Sequence, residues 1–222
     1  MKTLRRPLRV RRVRMADGTS ALTSDGAPSD CVAMGLMGLL PQKVDLVVSG
    51  INPAANLGHD VTYSGTVTAV MESIIWGVPG IAVSLDGGDT DSYELDYGPA
   101  AEVAAQVITT VLHHGLPTGV FLNVNVPNSS RAEMKGIITT SQDLRVYRDR
   151  LDRRVDPRGR DYYWIGGDRP TGVPRAGTDV GALAAGYASV TPLRLDLTAH
   201  ELLESMGGWV WQPQPVFSSN GH

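Results

Sequence analysis

Two groups of residues in this sequence have types and spacings that suit a phosphate ester. The first lies in "VVSGINPAANLGHDVTYSGTVTAV", where Asn52 and Asn56 follow an apolar run and Tyr63-Ser64-Gly65-Thr66 immediately precede a helical pattern. A helix start presents unpaired N–H groups and partial positive charge, which favour an anion. The hydroxyls of Ser64 and Thr66 add donors, Gly65 lets a ligand approach the backbone, and Asn56 can donate to a phosphate oxygen. Asn52 offers an uncharged oxygen to a hard cation such as Mg²⁺ or Mn²⁺. The same residues fit plain capping and turn formation equally well. They are not a P-loop, since the stretch lacks G-x-x-x-x-G-K-[ST] and any lysine. The second group is Asp196 and His200 in "LDLTAH". Taken alone, His200 reads as a capping or surface histidine at a helix start.

The elements that must hold these residues follow from periodicity. Residues 8–15 and 20–24 flank Asp17-Gly18 and predict a twisted hairpin. Ser29 or Asp30 is expected to cap a helix running to about Leu40. "VDLVVSG", "GIAVSL" and "VFLNVNVP" are short runs rich in β-branched residues and read as buried strands. Val67, Val70, Met71, Ile74 and Ile75 place one apolar stripe on a helix that stops at Gly77 and Pro79. "AAEVAAQVITTVLHHG" is a second helix, with His113 and His114 near its last carbonyls. Alternation of strand and helix predicts right-handed βαβ units in a largely parallel α/β sheet. Its carboxyl ends are where a ligand binds.

Beyond Asn128 the pattern loosens. "GIITT" and "YYWIG" read as strands, and the charged stretch from Gln142 to Arg160 as a solvated hairpin or arm. "GDRPTGVPRAGTD" reads as a loop, "YASVTPLRLDLT" as a final strand, "AHELLESM" as a short helix, and the tail after Gly207 as poorly ordered. The chain divides into an α/β core over 1–128, a hairpin and oligomerisation region over 129–190, and a C-terminal strand, short helix and tail over 191–222 within a single domain.

Composition narrows the classes. The chain has 222 residues, 42% of them hydrophobic, and a formal net charge of −3. That charge gives no general attraction to nucleic acid, and no apolar run is long enough to span a membrane. One cysteine, Cys31, rules out an internal disulfide and a multi-cysteine zinc site, and points to a reducing, cytoplasmic setting. Cys31 itself is expected to be a small buried filler. The basic start "MKTLRRPLRVRRVR" fits a nucleic-acid arm or an Arg-rich transit peptide, but reads best as a charged edge segment.

The central stretch, taken with "GAPSDCV", "LNVNVP", "DPRGRDYYWIG", "GTDVGALAAGYASVTPL" and "LDLTAH", resembles the SurE family of stationary-phase survival nucleotidases. The resemblance implies a Rossmann-like three-layer fold, a projecting hairpin and C-terminal arm that build a homodimer or homotetramer, and a nucleoside monophosphate as substrate. It implies metal-dependent hydrolysis of 5′- and 3′-monophosphates, in some members with exopolyphosphatase activity, using Mg²⁺ or Mn²⁺. Residue by residue, it puts a metal ligand on Asn52, phosphate contacts on Asn56, Ser64, Gly65 and Thr66, and a catalytic pair on Asp196 and His200. In that pair Asp196 orients the imidazole and His200 protonates the leaving alkoxide.

The sequence departs from the family in two respects. It contains neither the Asn-Asp-Asp-Gly motif that supplies the acidic metal ligands nor the later Arg-Ser-Gly segment. The chain as given is therefore expected to lack the first strand and most of the metal site, and to turn over poorly. A non-catalytic homologue that binds phosphate or only assembles is the alternative. His59 also stands where the family usually has an acid. The carboxylates of "DGGDTD", Asp86 to Asp91, are read as a solvated loop. Asp152, Arg153, Arg154 and Asp156 to Gly159 are read as turn and interface residues, and Trp76 and Trp164 as core or interface aromatics.

Overall fold

Runs of β-branched residues must pair, and amphipathic helices must bury their stripes. In this chain one sheet satisfies both. The computed structural model describes residues 3–87, 95–172, 174–209 and 211, with the side chains of 145–149 and 166–172 left aside. Hairpin strands β1 (Val10–Arg14) and β2 (Ser20–Ser24) turn at Asp17-Gly18, where Asp17 Oδ1 accepts from the Thr19 N–H at 2.8 Å. Helix α1 (Pro28–Met34) leads to β3 (Val47–Asn52), α2 (Gly65–Ile75), β4 (Gly80–Asp86), α3 (Gly98–His114) and β5 (Val120–Pro127). Then come β6 (Ile137–Thr139), the long hairpin β7 (Arg145–Val155) and β8 (Asp161–Gly172), α4 (Asp179–Ala184), β9 (Ala188–Arg194) and α5 (Leu203–Gly207).

The central sheet runs β3-β4-β5-β9-β6. Strands β3, β4 and β5 are parallel, β9 is antiparallel to β5, and β6 is parallel to β9. The architecture is the expected mixed, mostly parallel α/β sheet between helices. Alternation along the strands divides the two faces. Ile81, Val83 and Leu85 of β4 and Leu122, Val124 and Val126 of β5 meet Val103, Val107 and Val111 of α3. On the other face Ala82 and Phe121 meet Val67 and Val70 of α2. Phe121 is fully buried, and cutting such a side chain to alanine costs about 3–5 kcal/mol.

That second face changes character along its length. Under α2 it is apolar. Toward the carboxyl ends of β4 and β5 it carries Ser84, Asn123 and Asn125, joined by Ser189 and Thr191 from β9, all essentially buried. The pairing Ser84↔Asn125 and Asn125↔Ser189 lines three of these up across the strands.

Several elements differ from the sequence reading. Helix α1 is capped by Ala27, not Ser29 or Asp30, because the Asp30 carboxylate reaches back to the Ala27 N–H at 2.9 Å. It ends at Met34 and passes into a wider turn over Gly35–Leu39, where Gly38 has φ 109. Cys31 lies exposed on α1 rather than buried. Strand β9 stops at Arg194, short of the "LDLT" assigned to it. Helix α4 lies in a stretch the periodicity did not single out, since its six residues are too few to show a stripe. The charged stretch and "YYWIG" are the two arms of one hairpin, with Leu151 opposite Ile165 and Asp152 opposite Trp164. Most of the tail after Gly207, and Asp89 and Asp91 of the acidic loop, lie outside the described residues.

Candidate phosphate-binding site

The parallel strands deliver their carboxyl ends to one pole of the sheet, and β3 arrives there through a bulge. Ser49 pairs with Ala82 and Asn52 with Ser84, so Gly50 and Ile51 together face Val83 alone. Gly50 has φ 130, and a Cβ there would sit 2.2 Å from the Val83 carbonyl oxygen. Only glycine fits, and the bulge re-aims Asn52 at the end of the strand. The Asn52 amide donates to the Ala54 carbonyl at 2.6 Å. Its Oδ1 accepts no hydrogen bond among the described residues.

The loop that follows is tied down at intervals. The Gly87 N–H donates to the Pro53 carbonyl at 3.2 Å. Asn56 is buried, and its side-chain amide donates to Ser84 Oγ at 2.7 Å. The second proton on that nitrogen has no partner among the described residues. The chain then makes a short 3₁₀ turn over Gly58–Thr62 and enters α2.

Ser64 caps α2, its Oγ accepting from the Val67 N–H at 3.2 Å. The capping reading of Ser64 is thus realised in the structure. It leaves the N–H groups of Gly65 and Thr66, and the Thr66 hydroxyl, without partners among the described residues. Those donors sit at the positive end of an eleven-residue helix. Gly65 is exposed, and a Cβ on it would touch only the Pro28 ring, at 3.5 Å and beyond. The packing of the protein therefore does not require glycine at this position. Its bareness leaves room in front of the helix end.

Asp196 and His200 form a pair elsewhere. His200 Nε2 and Asp196 Oδ2 are 2.7 Å apart, both half exposed, and Asp196 Oδ1 accepts from the Thr198 N–H at 3.0 Å. The Thr198 side chain, then its backbone, then His200 hold the Asp196 carboxyl well below the ordinary carboxylate range. Among the described residues no hydrogen bond joins this pair to the helix end. Arg194 pairs with Val120 at the amino end of β5, whereas Ser189 pairs with Asn125 near its carboxyl end. About 17 Å of strand separates those two levels. The structure thus brings Asn52, Asn56 and residues 64–66 to one pole, while β9, which leads into Asp196 and His200, runs toward the other.

The donor set was also tested against a divalent cation. Mg²⁺ takes about six oxygens and recruits carboxylates. Among the described residues no three His, Cys, Asp or Glu side chains converge. One neutral oxygen from Asn52 does not make such a site, so the described residues do not by themselves fit the metal that the resemblance implies. Among the described residues no helix is long and apolar enough to cross a membrane.

Residues that the sequence reading passed over complete the site. Asn123, Asn125 and Asp179 are fully buried and bond to the 56–58 backbone. Two asparagines at alternate positions of the otherwise apolar "VFLNVNVP" were the visible signal, because buried amides need partners.

Known proteins match this chain closely. The family described as Survival protein SurE matches residues 1–149. A protein of Herpetosiphon aurantiacus named 5′-nucleotidase SurE is 47% identical over 211 residues, covering 95% of this chain and 82% of the relative. One of Geobacter sulfurreducens with the same name is 48% identical over 207 residues, covering 93% and 76%. The crystal structure of the SurE protein from Aquifex aeolicus superposes with a TM-score of 0.75 at 40% identity, covering 92% of this chain and 80% of that one.

Proposed function

Since the chain belongs to the SurE family, we propose that it is a phosphomonoesterase that hydrolyses nucleoside 5′-monophosphates to nucleoside and phosphate. The observation that carries the reading is the open helix end. Gly65 and Thr66 offer N–H donors without partners among the described residues, at the pole to which β3, β4 and β5 deliver their carboxyl ends.

In this reading the phosphoryl oxygens rest against the N–H groups of Gly65 and Thr66, with the Thr66 hydroxyl and the remaining Asn56 amide proton as further donors. Donors fixed before the reaction stabilise the charge that develops on these oxygens without having to reorganise. Ser64 holds the helix end in place. Asn52 Oδ1, which accepts no hydrogen bond among the described residues, adds a single acceptor at the same pole. It is the one described candidate for the divalent cation, Mg²⁺ or Mn²⁺, and no step is assigned to that ion.

Asp196 stays ionised and orients the His200 ring, which suits His200 to hand a proton to the departing nucleoside oxygen. β9 runs away from the helix end before it leads into this pair, which supports a reading in which the pair serves a phosphate on a neighbouring subunit. A homodimer or homotetramer is therefore part of the proposal, and so is hydrolysis of 3′-monophosphates at the same phosphate seat.

The test is release of inorganic phosphate from a nucleoside 5′-monophosphate and its 3′ isomer, with and without added Mn²⁺. Turnover of the 5′ ester supports the reading. A folded chain that binds the nucleotide and releases no phosphate under either condition contradicts it.

A further inference from the structure

Between β3 and α2 the loop forms no ladder with any strand, yet the backbones of Asn56 and Gly58, two residues apart, are paired by side chains. The Asn56 N–H donates to Asn125 Oδ1 at 2.7 Å, and the Asn56 carbonyl accepts from Asn123 Nδ2 at 2.8 Å and Asn125 Nδ2 at 3.1 Å. Two residues on, the Gly58 N–H donates to Asp179 Oδ2 at 2.7 Å, and the Gly58 carbonyl accepts from Gln142 Nε2 at 2.9 Å. Asn125 reads both ends of one residue as a neighbouring strand would. Its orientation follows from those partners, since the oxygen must face the N–H and the nitrogen the carbonyl.

The pairing has a physical cause. Asn56 and Gly58 are buried, and a buried peptide group without a partner forfeits its hydrogen bonds to water. The polar end of the sheet face supplies the replacements. The loop is thus placed by residues distant in sequence, not by turn propensities of its own. Asp179 extends the linkage outward. Its Oδ1 also accepts from the Asp143 N–H at 2.9 Å, at the root of the β7–β8 hairpin.

We propose that Asn125 and Asp179 are the positioning residues of the phosphate seat: they fix the loop that carries Asn52 at one end and the Ser64–Thr66 turn at the other, and Asp179 ties that loop to the root of the hairpin. The inference rests on the phosphate reading above. It adds two residues that touch no substrate and act through the backbone of Asn56 and Gly58.

Four full-length variants test it. Asn125→Ala removes both bonds to Asn56. Asn125→Asp keeps the acceptor and loses the donor. Asp179→Asn is nearly isosteric, but both of its oxygens accept in the wild type, so the amide must turn an NH₂ toward an N–H donor. Thr191→Val is the control. It lies on the same buried polar face, bonds to Thr140 Oγ1 at 2.7 Å and makes no hydrogen bond to the loop.

The readouts are hydrogen exchange of the amides in 53–66 and calorimetric affinity for inorganic phosphate. Asn125→Ala and Asp179→Asn should exchange faster in that segment and bind phosphate about tenfold more weakly. Asn125→Asp should fall between them and wild type. Thr191→Val should melt lower with both readouts unchanged. Unchanged exchange in both Asn125→Ala and Asp179→Asn overturns the proposal, as does faster exchange with undiminished phosphate affinity. Failure of the phosphate reading would show in the wild type as no phosphate binding, whereas failure of the clamp shows only in the variants.

Discussion

His200 Nε2 lies 2.7 Å from Asp196 Oδ2, and the pair follows β9, which runs antiparallel to β5 and away from the open end of α2. A histidine held by an ionised carboxylate is built to transfer a proton, the role proposed for His200. His200→Ala should therefore lower kcat more than it changes KM. The loss should be greater for a nucleoside monophosphate than for nitrophenyl phosphate, whose phenolate leaves with little help. Equal losses on both substrates would mean that the pair only shapes the turn after β9.

The same geometry predicts complementation between subunits. On the proposed reading, His200→Ala and Gly65→Val would each disable one half of a site that two chains share. Mixed after dissociation and reassembly, the two inactive variants should recover on the order of a quarter of wild-type activity if a dimer pairs them at random. No recovery from mixed oligomers of demonstrated composition would place both halves in one chain and contradict the assignment of the pair to a neighbour.

Ser64 offers a way to separate capping from binding. Ser64→Ala removes the acceptor for the Val67 N–H and should cost about 1 kcal/mol of stability. Ser64→Asp keeps an acceptor and should melt near wild type. Its negative charge at the helix end should nonetheless weaken phosphate binding well below that of the alanine variant. Comparing thermal melts with phosphate titrations of the two variants checks this ordering.

Asp143 sets an acid limit on stability. Burial alone would raise its carboxyl, but Arg175, the Leu144 N–H and Thr178 hold it below the ordinary carboxylate value. A carboxylate whose value is depressed on folding contributes stability that is present in full above the unfolded value of about 4 and is lost as the pH falls through the folded value. Melting temperature followed from pH 7 to pH 2.5 should fall in that acid range for the wild type. In Asp143→Asn it should start lower at pH 7 and fall less. Arg175→Met removes a half-exposed cation but leaves the Leu144 N–H and the Thr178 hydroxyl on the carboxylate, so it should lower the melting temperature at neutral pH by less than the loss of a fully buried pair would.

What the sequence made legible was whatever repeats with a period. The valine-rich runs of β3, β4 and β5 and the stripe of α2 are visible because burial acts on them every second or every third to fourth residue. The helix end at Ser64 was legible for the same reason, as a polar cluster where a stripe begins. Helix α4 is too short to carry a period, and the buried amides of Asn123 and Asn125 have partners 67 and 69 positions away that no local pattern announces. Asp196 and His200 were legible as a pair four residues apart. The direction of the strand that leads into them was not, because it depends on β9 running antiparallel to β5. Cys31 was misplaced because a lone thiol has no neighbour in sequence that fixes which side of a seven-residue helix it occupies.

The central claim is that the open end of α2 seats a phosphate, and Gly65 tests it most directly. A Cβ there meets only ordinary contact with Pro28, so Gly65→Val should fold and melt like the wild type while its side chain fills the space in front of the Thr66 N–H. Calorimetric titration of phosphate into wild type, Thr66→Ala and Gly65→Val is the measurement. Binding should be weakened by about 1–3 kcal/mol in Thr66→Ala and abolished in a folded Gly65→Val. Undiminished phosphate affinity in Gly65→Val would contradict the account and leave the serine, glycine and threonine as a helix cap and nothing more.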